Sequence, residues 1–399
     1  MYIKRILEKK VKKLSREYPI IAITGPRQSG KTTMVKKLFP GKKYLSLENI
    51  DVKSFAANDP RGFLKTYSGG AILDEAQNVP EIFSYLQEIA DTHKKMGEFI
   101  LTGSQNFLLM EKINQSLAGR VAIATLLPFS VRELCETKFA QYSSDKYILR
   151  GMYPRIYESK IDYKDWYKNY IKTYVERDAR LIKNIGNLAM FQRFIQMCAA
   201  RTGQVLNLSS IASDLGISHN TAKEWISVLE ASYIIFLLQP YHNNFNKRLI
   251  KMPKIYFYDS GLLSSLLRIE NNKDLENHPF KGGIFESFII SEILKNKLNA
   301  GDLPRAYFWR DKTGHEIDCL CEEKNKKIAM EIKASKTINS EFFKNLDYLQ
   351  KISDNFFDQS FLIYNGEEEQ RRKNCHVLGW RKFLVNKDVK ISRKASNEK

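Results

Sequence analysis

Cysteine is scarce and unpatterned in this chain of 399 residues, with five at positions 135, 198, 319, 321 and 375. An odd, scattered set excludes a disulfide framework and fits a reducing interior. Cys319 and Cys321 would share one face of a strand, but zinc would need two further ligands that no neighbouring spacing supplies. No run of about 18 apolar residues occurs, so no membrane span is expected. Residues 1–13 interleave charge with Ile3, Ile6, Leu7 and Val11, a basic amphipathic helix without the apolar centre of a signal peptide. A cytoplasmic protein is the expectation. Acidic residues are also in deficit. Asp and Glu number 45 against 64 Lys and Arg, giving a formal net charge of +19. That excess favours a polyanionic partner, nucleic acid first and an anionic membrane surface second, without saying which sequence is bound. A lysine-rich solvated surface is the plainer reading of the same charge. With 43% hydrophobic residues the chain is rich enough for packed cores, and its length suits about two or three domains.

What is present is concentrated first in residues 25–33. Gly25, Pro26, Arg27, Gln28, Ser29, Gly30, Lys31, Thr32 and Thr33 fit G-x-x-x-x-G-K-[ST]. The apolar run Ile20, Ile21, Ala22, Ile23 precedes them as a buried strand, and Met34 to Phe39 reads as a helix stopped by Pro40 and Gly41. Glycines let such a loop wrap with its N–H groups inward, and the helix start adds positive partial charge. Lys31 would reach the β- and γ-phosphates of ATP, and the Thr32 hydroxyl would hold Mg²⁺. About 40 residues on, Ala71, Ile72 and Leu73 end in Asp74 and Glu75. Asp74 is a second Mg²⁺ ligand, and Glu75 is suited to orient or deprotonate the attacking water. The next strand, Phe99 to Thr102, ends in a polar tip where Thr102, Ser104 or Gln105 could sense the γ-phosphate. Arg120, before a fifth strand from Val121, is a candidate cation for a phosphate or a neighbouring subunit's nucleotide, or equally half of a structural salt bridge.

The wording GPRQSGKTT, AILDEAQ, FILTGSQ and LAGRVAIATLLPFS resembles a prokaryotic group of AAA-type P-loop ATPases over residues 1–140. The resemblance implies a five-stranded parallel sheet, with the Asp74–Glu75 strand and the Ser104 strand flanking the strand of the loop. It also implies assembly into homo-oligomers.

Residues 141–245 turn helical. Residues 165–182 read as one helix carrying Tyr170, Tyr174, Glu176, Arg177 and Asp178. Residues 208–226 have helix-turn-helix spacing: Ile211, Ala212 and Leu215 pack the first helix, Gly216 permits the turn and Ser218 caps the second helix. With a strand over 233–238 this resembles a winged helix, in which His219, Asn220, Lys223 and Glu224 could meet DNA. A packing module that never touches DNA fits the same pattern.

Residues 246–385 carry a second constellation. An apolar helix over 283–294 bears Glu286 and Glu292, and such a buried carboxylate calls for a paired cation or a metal. Strands over 307–310, 316–321 and 328–333 follow. Glu331 and Lys333 share a face by the period of two, and local pairing puts Asp318 beside them. Asp318, Glu331 and Glu286 offer hard oxygen ligands for Mg²⁺, and Lys333 a cation to position water or phosphate, the set that metal-assisted phosphodiester cleavage uses. The D…E-x-K pattern resembles the PD-(D/E)XK nuclease-like fold, although Ile317 stands where that pattern has proline. Residues 150–385 as a whole resemble the domain of unknown function 4143 that is fused to this ATPase group. The fold expected is therefore α/β: a P-loop parallel sheet, a helical and winged-helix segment, then an α/β restriction-endonuclease-like domain, with a charged tail over 386–399. The function expected is Mg²⁺-dependent ATP hydrolysis acting on nucleic acid, DNA favoured. The alternative is a nucleotide-switched protein that binds its partner without cutting it.

Overall fold

Five strands of one parallel sheet organise the first part of the chain: β1 (Ile20–Thr24), β2 (Lys43–Ser46), β3 (Ala71–Asp74), β4 (Phe99–Thr102) and β5 (Val121–Thr125). Their order is β2-β3-β4-β1-β5, parallel throughout. This is a computed structural model describing residues 2–103, 109, 113, 115–174, 187–241, 251–323, 326–353, 356–372 and 374–386. The continuous apolar runs of β1, β3 and β4 follow from cover on both faces. One face packs Leu7, Val11, Met34 and Val35; the other packs Phe63, Leu64, Phe83 and Leu86. The expectation that β3 flanks β1 is corrected: β4 lies between them, and β1 has β4 and β5 as neighbours. Polar, half-exposed β2 is suited to the edge, and β3 pairs with it, which leaves the fully buried β4 for the interior.

The middle segment is helical, and its helices are capped by their own sequence. Asn207 and Ser218 accept hydrogen bonds from the first-turn amides of helices Leu208–Leu215 and His219–Ala231. Gly216 joins the two with φ of 65°, a left-handed conformation that glycine adopts without a Cβ clash. The expected helix over 165–182 is seen as Tyr163–Thr173; Glu176, Arg177 and Asp178 lie outside the described residues, as does the tail from 387.

A second, eight-stranded sheet completes the chain. It comprises β6 (Ile235–Pro240), β7 (Lys254–Phe257), β8 (Ala306–Arg310), β9 (Glu316–Glu323), β10 (Lys326–Lys333), β11 (Gln359–Tyr364), β12 (Glu369–Arg371) and β13 (His376–Gly379). The order is β12-β13-β11-β10-β9-β8-β6-β7. Strand β6, which follows the helix-turn-helix, pairs antiparallel with β7 and, through Gln239 and Pro240, parallel with β8. The sheet thus takes strands from both sides of position 245, where the sequence places a boundary. The helix Lys281–Ala300 buries Ile284, Phe285, Phe288 and Ile289 in a core that takes in Ile3 and residues from Phe129 to Leu384. Among the described residues no helix is long and apolar enough to cross a membrane.

Candidate functional site

The loop 25–33 turns at the carboxyl end of β1 by backbone conformations that its residues permit. Gly25 has φ of 138°, and a Cβ there would lie 2.1 Å from the Leu126 carbonyl oxygen. Lys31 is buried and its ammonium donates to the carbonyls of Gly25 (2.9 Å) and Pro26 (2.8 Å). Thr32, one residue into the helix Lys31–Leu38, places its hydroxyl 3.1 Å from both oxygens of Asp74. Asp74 ends β3 and also accepts from Tyr44 Oη at 2.6 Å and from the Thr102 hydroxyl. Glu75 follows with φ of 56° and ψ of 48°, a conformation that a non-glycine residue adopts only under local constraint, and Gln77 Nε2 donates to its carboxylate at 2.5 Å. Lys31, Thr32, Asp74 and Glu75 therefore converge where parallel strands end.

Two expected members remain. Ser104, with Gln105, lies outside the described residues. Arg120 forms the structural salt bridge that is one of its two readings. Its carbonyl accepts from Ile20 N–H at the amino end of β1, whereas the loop leaves the carboxyl end, and its guanidinium pairs with Asp91 at 2.5 Å on the surface.

Sequence reasoning passed over Tyr44, Arg5 and Tyr233. Tyr233 Oη hydrogen-bonds Thr24 Oγ1 at 2.9 Å, tying the end of the second helix of the helix-turn-helix to the strand that feeds the loop. Arg5 is buried, and its guanidinium donates to Ser29 O (2.8 Å), Leu127 O (2.6 Å) and Glu133 (3.0 Å). None of the three has a local motif; each acts across more than one element.

In the second sheet, Asp318, Glu331 and Lys333 come together as the register of β9 and β10 requires. Lys333 Nζ lies 2.7 Å from Glu331 Oε1 and 3.6 Å from Asp318 Oδ2, and Ile332 N–H donates to that same Oδ2 at 2.7 Å. Glu286 comes from the helix Lys281–Ala300, where its Oε1 accepts from Lys254 Nζ (2.9 Å) and Tyr256 Oη (2.5 Å). Lys254 also touches Glu316, which Arg310 reaches at 3.1 Å. Burial raises the Glu286 carboxyl to about 7 and, with Asp318 beside it, the Glu331 carboxyl to about 8.

The two sites differ in their fit to a divalent cation. Mg²⁺ takes oxygen ligands at about 2.0–2.1 Å in an octahedron, so adjacent ligands stand about 2.9 Å apart. Thr32 and Asp74 meet that spacing with oxygen alone. In the second sheet the carboxylate oxygens of Glu286, Glu316 and Asp318 lie within 4.8 Å of one another, but Lys254 already places an ammonium against two of the three. A dication does not fit there beside it.

Residues 17–135 match a family described as an AAA domain, residues 141–273 a domain of unknown function (DUF8612), and residues 281–383 another (DUF4143). A protein of Mycobacterium tuberculosis, described as uncharacterized, is 31% identical over 324 residues, covering 80% of this chain and 71% of its own length. Its Mycobacterium bovis counterpart matches to the same extent. Among solved structures, the Walker-type ATPase of Pyrococcus abyssi is similar with 15% identity and a TM-score of 0.44, over 65% of this chain and 94% of that one. AMPPCP-bound DnaA of Aquifex aeolicus is similar with 13% identity and a TM-score of 0.30, over 56% and 86%.

Proposed function

The chain belongs to one family with the Mycobacterium proteins that it matches at 31% identity, and from its AAA domain and its net charge of +19 we propose that it is an ATPase acting on nucleic acid, DNA before RNA. The convergence of Lys31, Thr32, Asp74 and Glu75 at one end of the parallel sheet carries it. The loop amides and Lys31 bind the β- and γ-phosphates, and the helix start favours their charge. Thr32 and Asp74 would hold Mg²⁺, which would supply positive charge to the phosphate oxygens. Glu75 orients the attacking water and takes its proton, with Gln77 fixing the carboxylate. Thr102 positions Asp74 from the neighbouring strand.

The net charge of +19 supports a polyanion, and the exposed His219, Asn220, Lys223 and Glu224 of the helix His219–Ala231 are the surface we assign to it. Glu286, Asp318, Glu331 and Lys333 form a second place where a phosphodiester meets the protein. Cleavage at that place is one reading; holding without cleavage is the other, and the Lys254 ammonium inside the carboxylates favours it. ATPase rates with and without DNA or RNA, beside a cleavage gel, test the proposal. Stimulation by a nucleic acid, lost in Lys31→Ala, is expected; a rate indifferent to every polymer refutes it.

A further inference from the structure

We propose that Lys254 is the built-in cation of the nuclease-like cluster, so that this domain takes up no divalent metal there and holds a phosphodiester without cutting it. The identity of the ligand rests on the nucleic-acid reading above; the exclusion of metal rests on the geometry alone.

Lys254 opens β7, the edge strand of the eight-stranded sheet, yet its side chain is 2% exposed. An edge lysine ordinarily points to water. This one turns inward, lies 2.9 Å from Glu286 Oε1 and contacts Glu316 Oε1. Those two carboxylates and Asp318 bring their oxygens within 4.8 Å of one another, and the Lys254 ammonium contacts two of the three. Several of these carboxylates have further partners, although Glu331 Oε2 is buried with no hydrogen-bond partner among the described residues. Tyr256 holds Glu286, Arg310 holds Glu316, the Ile332 amide holds Asp318, and Lys333 holds Glu331.

Charge balance points the same way. Four carboxyl groups, Glu286, Glu316, Asp318 and Glu331, the last of which keeps its proton up to about pH 8, face three cations, Lys254, Lys333 and Arg310. A dication added to this set over-neutralises it. Displacing Lys254 to admit one would leave a buried ammonium without its partners, which is strongly unfavourable. Mg²⁺ must moreover shed water to enter, and it does so reluctantly. An ammonium supplies charge but does not turn bound water into a hydroxide at neutral pH, the step on which metal-assisted cleavage depends. Lys333 and Arg310 are 28% and 37% exposed, so they remain to meet phosphate oxygens from solvent.

The test uses the full-length protein without nucleotide, titrated with Mn²⁺ by calorimetry and by the paramagnetic resonance of the free ion. The wild type is expected to bind no Mn²⁺ tighter than the millimolar range. Lys254→Met, which keeps bulk and removes charge, is expected to gain Mn²⁺ affinity by about tenfold or more, and Glu286→Gln in that background to abolish the gain. DNA should remain intact with wild type and Mn²⁺, and filter binding should weaken in Lys333→Ala. Micromolar Mn²⁺ binding by the wild type that disappears in Glu286→Gln or Glu331→Gln overturns the proposal, whether or not the lysine variant folds. A folded Lys254→Met variant that gains no Mn²⁺ overturns it as well. Failure to retain DNA, with the metal results as expected, refutes the nucleic-acid reading and leaves the exclusion of metal standing.

Discussion

Arg5 is the residue whose loss should damage the phosphate loop most without touching nucleotide. Its guanidinium is 3% exposed, and the Glu133 carboxylate that it meets at 3.0 Å is 0% exposed. The same group donates to Ser29 O inside the loop and Leu127 O beyond β5, and it lies 4.7 Å above the Phe129 ring. Arg5→Ala leaves Glu133 with the amides of Ile6 and Ser130 but without a cation. Removing one partner of a buried pair costs about 3–5 kcal/mol, and two orphaned carbonyls add to it. Against a typical stability of about 5–15 kcal/mol this is a large fraction. Urea unfolding should therefore show a clear fall in midpoint for Arg5→Ala and a smaller one for Glu133→Gln. The double variant should be less damaged than the sum, with a coupling of at least about 1 kcal/mol. KM for ATP should rise, since Ser29 loses its outer anchor. A loss below about 1 kcal/mol, or strict additivity of the two changes, would refute the reasoning.

Lys31→Ala should lower ATP turnover by about a hundredfold or more through lost phosphate stabilisation, and Glu75→Gln should lower kcat by about 10²–10⁴ while ATP is still retained in a nucleotide-binding assay. Gly25→Ala should abolish ATP binding, because its Cβ would stand 2.1 Å from the Leu126 carbonyl oxygen at a φ of 138°; unchanged affinity would disprove the cradle. Burial holds the Glu331 carboxyl up at about 8 against an ordinary 4.5. The folded protein therefore keeps a proton that the unfolded chain releases, so stability from this group is full at low pH and is lost as pH rises through about 8. Thermal melts should fall across that window and flatten in Glu331→Gln. Arg120→Ala should leave the turnover of dilute protein unchanged, since Arg120 pairs with Asp91 away from the loop; a fall would return it to the nucleotide site.

Local chemistry made the first site readable. The glycines and the Lys31–Thr32 pair are consecutive, and Asp74–Glu75 end an apolar run, so period and spacing were enough. The same holds for Ser218 and Gly216 in the helix-turn-helix, and for Glu331 and Lys333 on one strand face. Strand order was not readable, because apolar runs of similar length compete for the central position and only the full sheet decides. Lys254 was not readable either. In sequence it is a lysine before an aromatic strand, and only the register of β6 and β7 turns it toward Glu286, 32 residues away.

The stretch 127–133 shows why the two sheets cannot be treated as separate machines. Leu127 O accepts from Arg5 and Phe129 O from Lys295; Ser130 N–H donates to Glu133; Val131 N–H donates to Glu292 Oε2 at 2.6 Å. Arg5 and Glu133 reach the loop through Ser29, while Glu292 and Lys295 belong to the helix that also carries Glu286. Each of these charged side chains is buried, so none can rearrange freely in water. A displacement of Ser29 must be taken up by Arg5, then by Glu133 and the backbone it caps, and then by the amide that Glu292 holds. A flexible linker would absorb such a displacement; a segment bonded at nearly every polar position has no such slack. This short segment is thus one physical link between the phosphate loop and the second sheet, beside the Tyr233–Thr24 hydrogen bond, and substitutions at Glu133 and Glu292 should disturb both ends of the molecule together.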